Sequence, residues 1–161
     1  CNVRSVNPEN VIKVSALDSI DIIEINCHCR QKELTSIGCG QSMLKRSDLS
    51  DYIVNVVDNA SSKVSVKIRA NVDGVDTLSI AKLVDESGAD FLHVDAMNPG
   101  VANADLVLIR RISDETDICL IGNNSINSLE RAKDMVSAGA DGVSIARACM
   151  NGKLDFDLSS L

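Results

Sequence analysis

Val64-Ser65-Val66-Lys67-Ile68-Arg69 alternates aliphatic and polar residues without a break. In an extended strand, successive side chains point to opposite faces. Val64, Val66 and Ile68 therefore share one face, and Ser65, Lys67 and Arg69 share the other. The same one-sidedness recurs on either side of this stretch. In Asp21–Asn26, Ile23 and Ile25 oppose Glu24 and Asn26. In Phe91–Asp95, Leu92 and Val94 oppose His93 and Asp95. A parallel sheet covered by helices on both faces needs apolar side chains on both. These strands ask for helices on one face and a polar interior on the other. That is what a barrel lumen requires when it opens onto a site at the C-terminal ends of its strands.

Outward from these runs, strand and helix signals alternate. Strands are predicted at Asn2–Val6, Ile20–Asn26, Val64–Arg69, Phe91–Asp95, Ile118–Gly122 and Gly142–Ala146. Helices are predicted at Pro8–Leu17, Leu49–Ala60, Asp76–Ser87, Ala104–Ile112 and Ser128–Ala138. Pro8 suits a first helical position, and Asp48, Asn103 and Asn127 stand where helix N-caps belong. "SGAD" at Ser87–Asp90 and "AGAD" at Ala138–Asp141 repeat one device, a glycine ending a helix just before a strand. Repeated βα units imply a parallel sheet with right-handed crossovers. The predicted fold class is α/β, a partial (β/α)8 TIM barrel of about six units forming one domain over residues 1–161. A complete barrel has eight strands and about 250 residues, so two strands are expected from elsewhere.

Composition agrees with this reading. Of the 161 residues, 45% are hydrophobic but only 2% aromatic, so the core must be aliphatic. No apolar run approaches the ~18 residues of a membrane span. The net charge of −7 disfavours extended nucleic-acid binding through the general surface, while leaving room for local basic spots. The six cysteines are irregularly spaced and mostly lie in apolar runs, which fits unpaired thiols and a reducing cytoplasm. Gly38-Cys39-Gly40 is no dinucleotide fingerprint, because no strand leads into it and the third glycine is missing.

Taken in order, the polar clusters resemble those of the dihydrouridine synthase family, which are flavin-dependent barrels. "IEINCHC" (Ile23–Cys29) resembles the family's Ile-Asp-Ile-Asn-x-Gly-Cys-Pro stretch, and "IGCGQSML" (Ile37–Leu44) its Gly-Ala-Gly-Ser-Ala-Leu-Leu segment. "VSVKIR" is similar to its Val-x-Val-Lys-x-Arg strand. "LIGNNSI" (Leu120–Ile126) is similar to Ile-Gly-Asn-Gly-Asp-Ile, and "VSIARACM" (Val143–Met150) to Val-Met-Ile-Gly-Arg-Gly. The match spans about Asn2 to Cys149 and corresponds to the third through eighth barrel strands, nearest a divergent archaeal-type branch. There are departures. The family's Gly and Pro around its cysteine are His28 and Arg30, and its sixth-strand His is Asp95. A third-strand Gln is Asn2, Asn124 and Ser125 replace Gly and Asp, and Ala146 replaces Gly. The first two strands and the C-terminal helical domain have no counterpart in the chain.

The resemblance implies an oxidoreductase that binds flavin mononucleotide (FMN). Hydride would pass through the flavin to or from a pyrimidine C=C bond, with NADPH or NADH as electron donor. Cys29 takes the role of general acid, and a thiol near its ordinary pKa is protonated at neutral pH and able to donate. Lys67 would place positive charge beside the flavin's N1–C2 oxygen region and stabilise the reduced ring; pairing with Glu24 or Asp95 is its structural alternative. Asn2 and Asp95 would contact the flavin, while Asn26 and Arg69 would meet substrate. Asp95 and His93 would form either a proton relay or a simple hydrogen-bonded pair. Barrels often hold phosphate at the loops after the last two strands, where Gly122, Asn123, Asn124, Ala146 and Arg147 fall. The substrate is tRNA or a small pyrimidine, and no membrane partner is expected; a homo-oligomer is compatible with all of this. Two rival readings stay open: a dehydrogenase acting on free dihydropyrimidine or dihydroorotate-like molecules, and a non-catalytic or metal-binding barrel relative. Cys27, His28, Cys29 and Cys39 carry ligand atoms for a metal, but Cys27 and Cys29 are closer than zinc-site spacing, so no metal site is assigned.

Overall fold

The computed structural model describes residues 1–161. Six strands form one sheet: β1 Asn2–Val3, β2 Ile22–Cys27, β3 Lys63–Arg69, β4 Phe91–Asp95, β5 Cys119–Asn123 and β6 Gly142–Ser144. They lie side by side in chain order, and every neighbouring pair is parallel. Between them run helices α1 Pro8–Ser15, α2 Lys32–Thr35, α3 Leu49–Asn59, α4 Thr77–Glu86, α5 Leu106–Glu115 and α6 Leu129–Ser137. Short 3-10 turns occupy Gly40–Lys45 and Arg147–Cys149.

The main helices form a single layer. α1 packs on α3, α3 on α4, α4 on α5 and α5 on α6. Ile23, Ile25, Val64, Val66, Ile68, Leu92, Val94 and Leu120 point into this layer and are buried with Ile53, Ala81, Ile109 and Met135. Gly122 lies on the same face, where an added Cβ would overlap the Met135 side chain, so α6 sits close against β5. One helix layer on a sheet of sequential parallel strands is the geometry of a barrel segment. The fold is a partial TIM barrel, as the alternation in "VSVKIR" requires.

Strand register stacks the polar face in rows. Asn2, Glu24, Ser65 and Phe91 are successive partners low in the lumen. Asn26, Lys67, His93 and Ile121 form the next row. Arg69, Asp95, Asn123 and Ser144 form the rim row.

The repeated Gly-Ala-Asp segments have a structural role. Gly88 (φ 78°) and Gly139 (φ 106°) turn the chain out of α4 and α6 in the left-handed region that favours glycine. The following aspartates then clasp the preceding strand. Asp90 accepts the Val64 N–H at 2.8 Å through its carboxylate and donates its own N–H to the Val64 carbonyl at 2.9 Å. Asp141 does the same to Leu120, at 2.8 Å both ways.

Several element ends differ from the sequence reading. β1 ends at Val3, because Ser5 instead exchanges hydrogen bonds with Asn7. β2 starts at Ile22, after a turn at Ser19 (φ 70°). β6, at the sheet edge, stops at Ser144. Asn7, not foreseen, caps α1 ahead of Pro8. Asn103 and Asn127 are not caps: Asp105 accepts the Leu108 N–H at the start of α5, and Ser128 accepts the Arg131 N–H at the start of α6. Asp48 does precede α3, but its carboxylate pairs with Arg46. α2 and the 3-10 turn after it had no clear apolar periodicity to announce them.

Candidate functional site

The lumen holds two carboxylates, each matched to an imidazole. Low in the barrel, Glu24 receives hydrogen bonds from Asn2 (2.6 Å), Ser65 (3.0 Å) and His93 Nδ1 (2.8 Å). Burial disfavours the charge, but the hydrogen bond and charge of His93, the Asn2 amide and the charge of Lys67 outweigh it and bring Glu24 down to about 2. His93 Nε2 is buried and has no partner. Lys67, one strand away in the same row, lies within reach of the Glu24 charge but forms no ion pair and no side-chain hydrogen bond.

At the rim, Asp95 is 5% exposed. Its Oδ2 accepts from His28 Nε2 at 2.7 Å and Arg69 Nη1 at 2.9 Å, and its Oδ1 from Asn124 at 2.6 Å. Burial again opposes the charge, yet the hydrogen bonds from His28 and Asn124 and the charges of His28 and Arg69 hold Asp95 below the ordinary carboxylate value. The pairing differs from the expected one: His93 pairs with Glu24, not Asp95, and Asp95 takes its imidazole from the loop after β2. Lys67 likewise pairs with neither carboxylate.

Two contacts fix that loop. Asn26 Oδ1 accepts the His28 N–H (3.1 Å) and the Cys29 N–H (2.9 Å), while its amide donates to Asn2 at 2.7 Å. From the side, the Cys29 carbonyl accepts the Gln41 N–H at 2.9 Å. Gly40 (φ 64°) lies so near that an added Cβ would overlap this carbonyl. Cys29 is half-buried, whereas Cys27 faces the helices, fully buried, with its thiol pushed up by burial to about 12. No three His, Cys, Asp or Glu side chains converge as metal ligands would.

A cleft of about 700 Å³ opens at the rim, lined by His28, Asp95, Asn123, Asn124, Ser144, Ala146 and four arginines, Arg30, Arg69, Arg131 and Arg147. Asp95 is the one acid in that lining, although the whole chain carries a net charge of −7. Beyond β5, Asn124 (φ 117°) and Ser125 (φ 54°) lie in left-handed space, and the backbone N–H groups of Asn124, Ser125 and Ile126 donate to nothing in the protein. Free N–H groups beside arginines make an anion-binding concavity. These features fit a phosphate-bearing flavin, with Lys67 and His93 Nε2 available to its ring.

Of the residues singled out in the sequence, Arg69, Asp95, Asn123, Asn124, Ala146 and Arg147 share this cleft. Asn2, Asn26 and Lys67 lie deeper in the lumen. Gly122 presents its missing side chain to α6 and is not part of the cleft lining. Cys29 stands beside the cleft without lining it. In the sequence, Arg30, Ser125 and Arg131 carry no cleft role, and His28 stands only as a candidate metal ligand and as a departure from the family motif. His28 had a signal nonetheless: a histidine gained at one motif position and lost at another.

Comparison with known proteins agrees with this geometry. Residues 6–152 match the family model described as dihydrouridine synthase (Dus). An uncharacterized protein of Methanocaldococcus jannaschii is 37% identical over 142 residues, covering 84% of this chain and 53% of that protein. The tRNA-dihydrouridine synthase B of Pasteurella multocida is 28% identical over 160 residues, covering 92% of this chain and 48% of that enzyme. The chain thus spans about half the length of these relatives. Among solved structures, FabK from Thermotoga maritima aligns with a TM-score of 0.58 and 19% identity, over 88% of this chain and 39% of that one, a likeness of fold alone. With its lumen rows, its rim cleft and this match in view, the chain belongs to the dihydrouridine synthase family.

Proposed function

We propose that the protein is an FMN-dependent oxidoreductase that moves a hydride between flavin and the C=C bond of a pyrimidine, with uridine in tRNA as the favoured substrate. The observation that carries this reading is Lys67, a lumen ammonium that forms no ion pair and no side-chain hydrogen bond, in a member of this family. Such a charge stabilises the anionic reduced ring of a flavin. When bound, FMN supplies the hydride chemistry, and reduced nicotinamide restores its electrons.

The protein's own residues would do the rest. Asn123, Asn124, Ala146 and Arg147, with the backbone of Gly122, would hold the phosphate; Arg147 adds a charge-assisted contact. Asn2, Lys67 and Asp95 would face or support the ring. Asn26 and Arg69 line the approach to the pyrimidine, Asn26 also fixing the loop that carries Cys29. Cys29 delivers a proton, as the resemblance implies. Support for tRNA comes from the name of the Pasteurella multocida relative and from a cleft whose arginines stand out against an acidic chain. That acidity is also what supports a free pyrimidine as second reading.

The test is to purify the full-length protein, identify its bound flavin, and assay reduced-nicotinamide oxidation with an unmodified tRNA transcript and with a free pyrimidine. Turnover on the transcript is expected. Turnover only on the small molecule moves the assignment to the second reading, and absence of flavin overturns both. Arg147→Ala is expected to weaken flavin retention at least ~10-fold, and unchanged retention removes the phosphate assignment.

A further inference from the structure

We infer that His28, backed by Asp95, is a proton-transfer residue of the rim cleft, in addition to Cys29. This inference rests on the oxidoreductase reading above.

The geometry is that of an imidazole held for proton exchange. His28 Nε2 lies 2.7 Å from Asp95 Oδ2. Asp95 is itself held by Arg69 and Asn124, so the carboxylate stays charged and immobile. A carboxylate at one ring nitrogen fixes the proton there and leaves the other nitrogen to gain and lose a proton. That other nitrogen, Nδ1, makes no hydrogen bond in the protein, and the side chain is 26% exposed on the cleft wall. The backbone beneath it is pinned by Asn26, so the ring stands on a fixed base. Cys29, the neighbouring acid, is not part of the cleft lining.

The step balances as follows. The substrate C=C takes a hydride at one carbon, its two electrons coming through the flavin from reduced nicotinamide. The neighbouring carbon takes its single proton from the Cys29 thiol, whose S–H bond breaks as the C–H bond forms. The thiolate then regains a proton from Nδ1 of the protonated His28 ring, whose N–H bond breaks as the S–H bond re-forms. The ring, now neutral, regains a proton from water. The other charges lining the cleft are Asp95 and the four arginines, Arg30, Arg69, Arg131 and Arg147.

His28→Gln keeps an N–H donor for Asp95 but cannot shuttle a proton. In full-length, flavin-loaded protein acting on a tRNA transcript, it is expected to slow turnover about 10²-fold, near the lower end for a lost general acid. Flavin retention and flavin reduction by nicotinamide should be unchanged, and added imidazole should restore part of the turnover of His28→Ala. A second readout needs neither flavin nor substrate. Ring ¹⁵N shifts should show His28 protonated at Nε2 in the wild type, and Asp95→Asn should abolish that preference. Undiminished turnover in His28→Gln overturns the inference, and so does a neutral ring whose Nε2 is unprotonated. Wild-type protein that binds no flavin, or turns over no transcript, overturns the reading beneath it instead, and the ring shifts then decide for His28.

Discussion

The floor and the rim of the lumen solve one problem in two ways. Each encloses a carboxylate, supplies several donors and includes an imidazole; the Glu24 side chain is 18% exposed and that of Asp95 7%. At the floor, every donor to Glu24 comes from a strand: Asn2 from β1, Ser65 from β3 and His93 from β4. At the rim, two of the three donors to Asp95 come from loops, His28 after β2 and Asn124 after β5. The floor is thus part of the sheet's own architecture, with the His93 side chain 9% exposed. The rim is assembled from segments that need outside support, and its His28 side chain is 26% exposed. It is the imidazole that differs: enclosed at the floor, where it serves stability, and open to the cleft at the rim, where it serves exchange.

Removing the floor carboxylate should therefore cost the most stability. Glu24→Ala leaves His93 and Asn2 without an acceptor and is expected to cost about 3 kcal/mol, the low end for breaking a buried charge pair. Asp95→Asn should cost clearly less, because its amide oxygen still accepts from His28 and Arg69, whereas Glu24→Ala leaves no acceptor at all. Urea unfolding compares the two; equal losses would erase the distinction between floor and rim.

The floor also sets an acid response. Glu24 lies at about 2 in the folded protein against an ordinary 4.5. Its charge therefore contributes stability that is fully present above about pH 4.5 and is lost as pH falls toward 2. Asp95, also lowered, acts in the same direction. Urea midpoints measured from neutral pH downward should fall more steeply in wild type than in Glu24→Gln, and parallel curves would argue against the floor as the acid-labile part.

Smaller effects sharpen the rim. Gly40→Ala forces a Cβ onto the Cys29 carbonyl at φ 64° and is expected to cost about 2 kcal/mol, shifting the His28–Cys29 loop. Gly100→Ala, at φ 75° with nothing within 4 Å, should cost only about 1 kcal/mol and leave the cleft alone. Calorimetry separates the pair. Smallest of all is Asn124→Gly: it relieves a backbone at φ 117° but loses the bond to Asp95, so stability should change by less than ~1 kcal/mol. A large loss there would mean that Asn124 carries more of the rim than its single hydrogen bond indicates.

What was legible in the sequence follows the same division. Period-two alternation in "VSVKIR", "DIIEIN" and "FLHVD" set the lumen face, and with it the fold and the depth of Glu24, Lys67, His93 and Asp95. The partners of those residues were not legible. Whether His93 turns to Glu24 or to Asp95 depends on how strands tilt across one another, which alternation does not encode. His28 reaches Asp95 across 67 positions of chain, from a loop whose path is set by an asparagine carbonyl and a glycine turn. Caps were misplaced by one or two residues where several polar candidates stood together, as at Asn103 and Asp105.

The ladder lengths carry one more consequence. β2 and β3 are joined over six register positions, β3 with β4 and β4 with β5 over five, β5 with β6 over three and β1 with β2 over two. Amide hydrogens of β3, which is paired on both sides by the longest ladders of the sheet, should therefore be the slowest to exchange with solvent. That strand carries Lys67, so the charge proposed to meet the flavin ring should be the last part of the lumen to loosen.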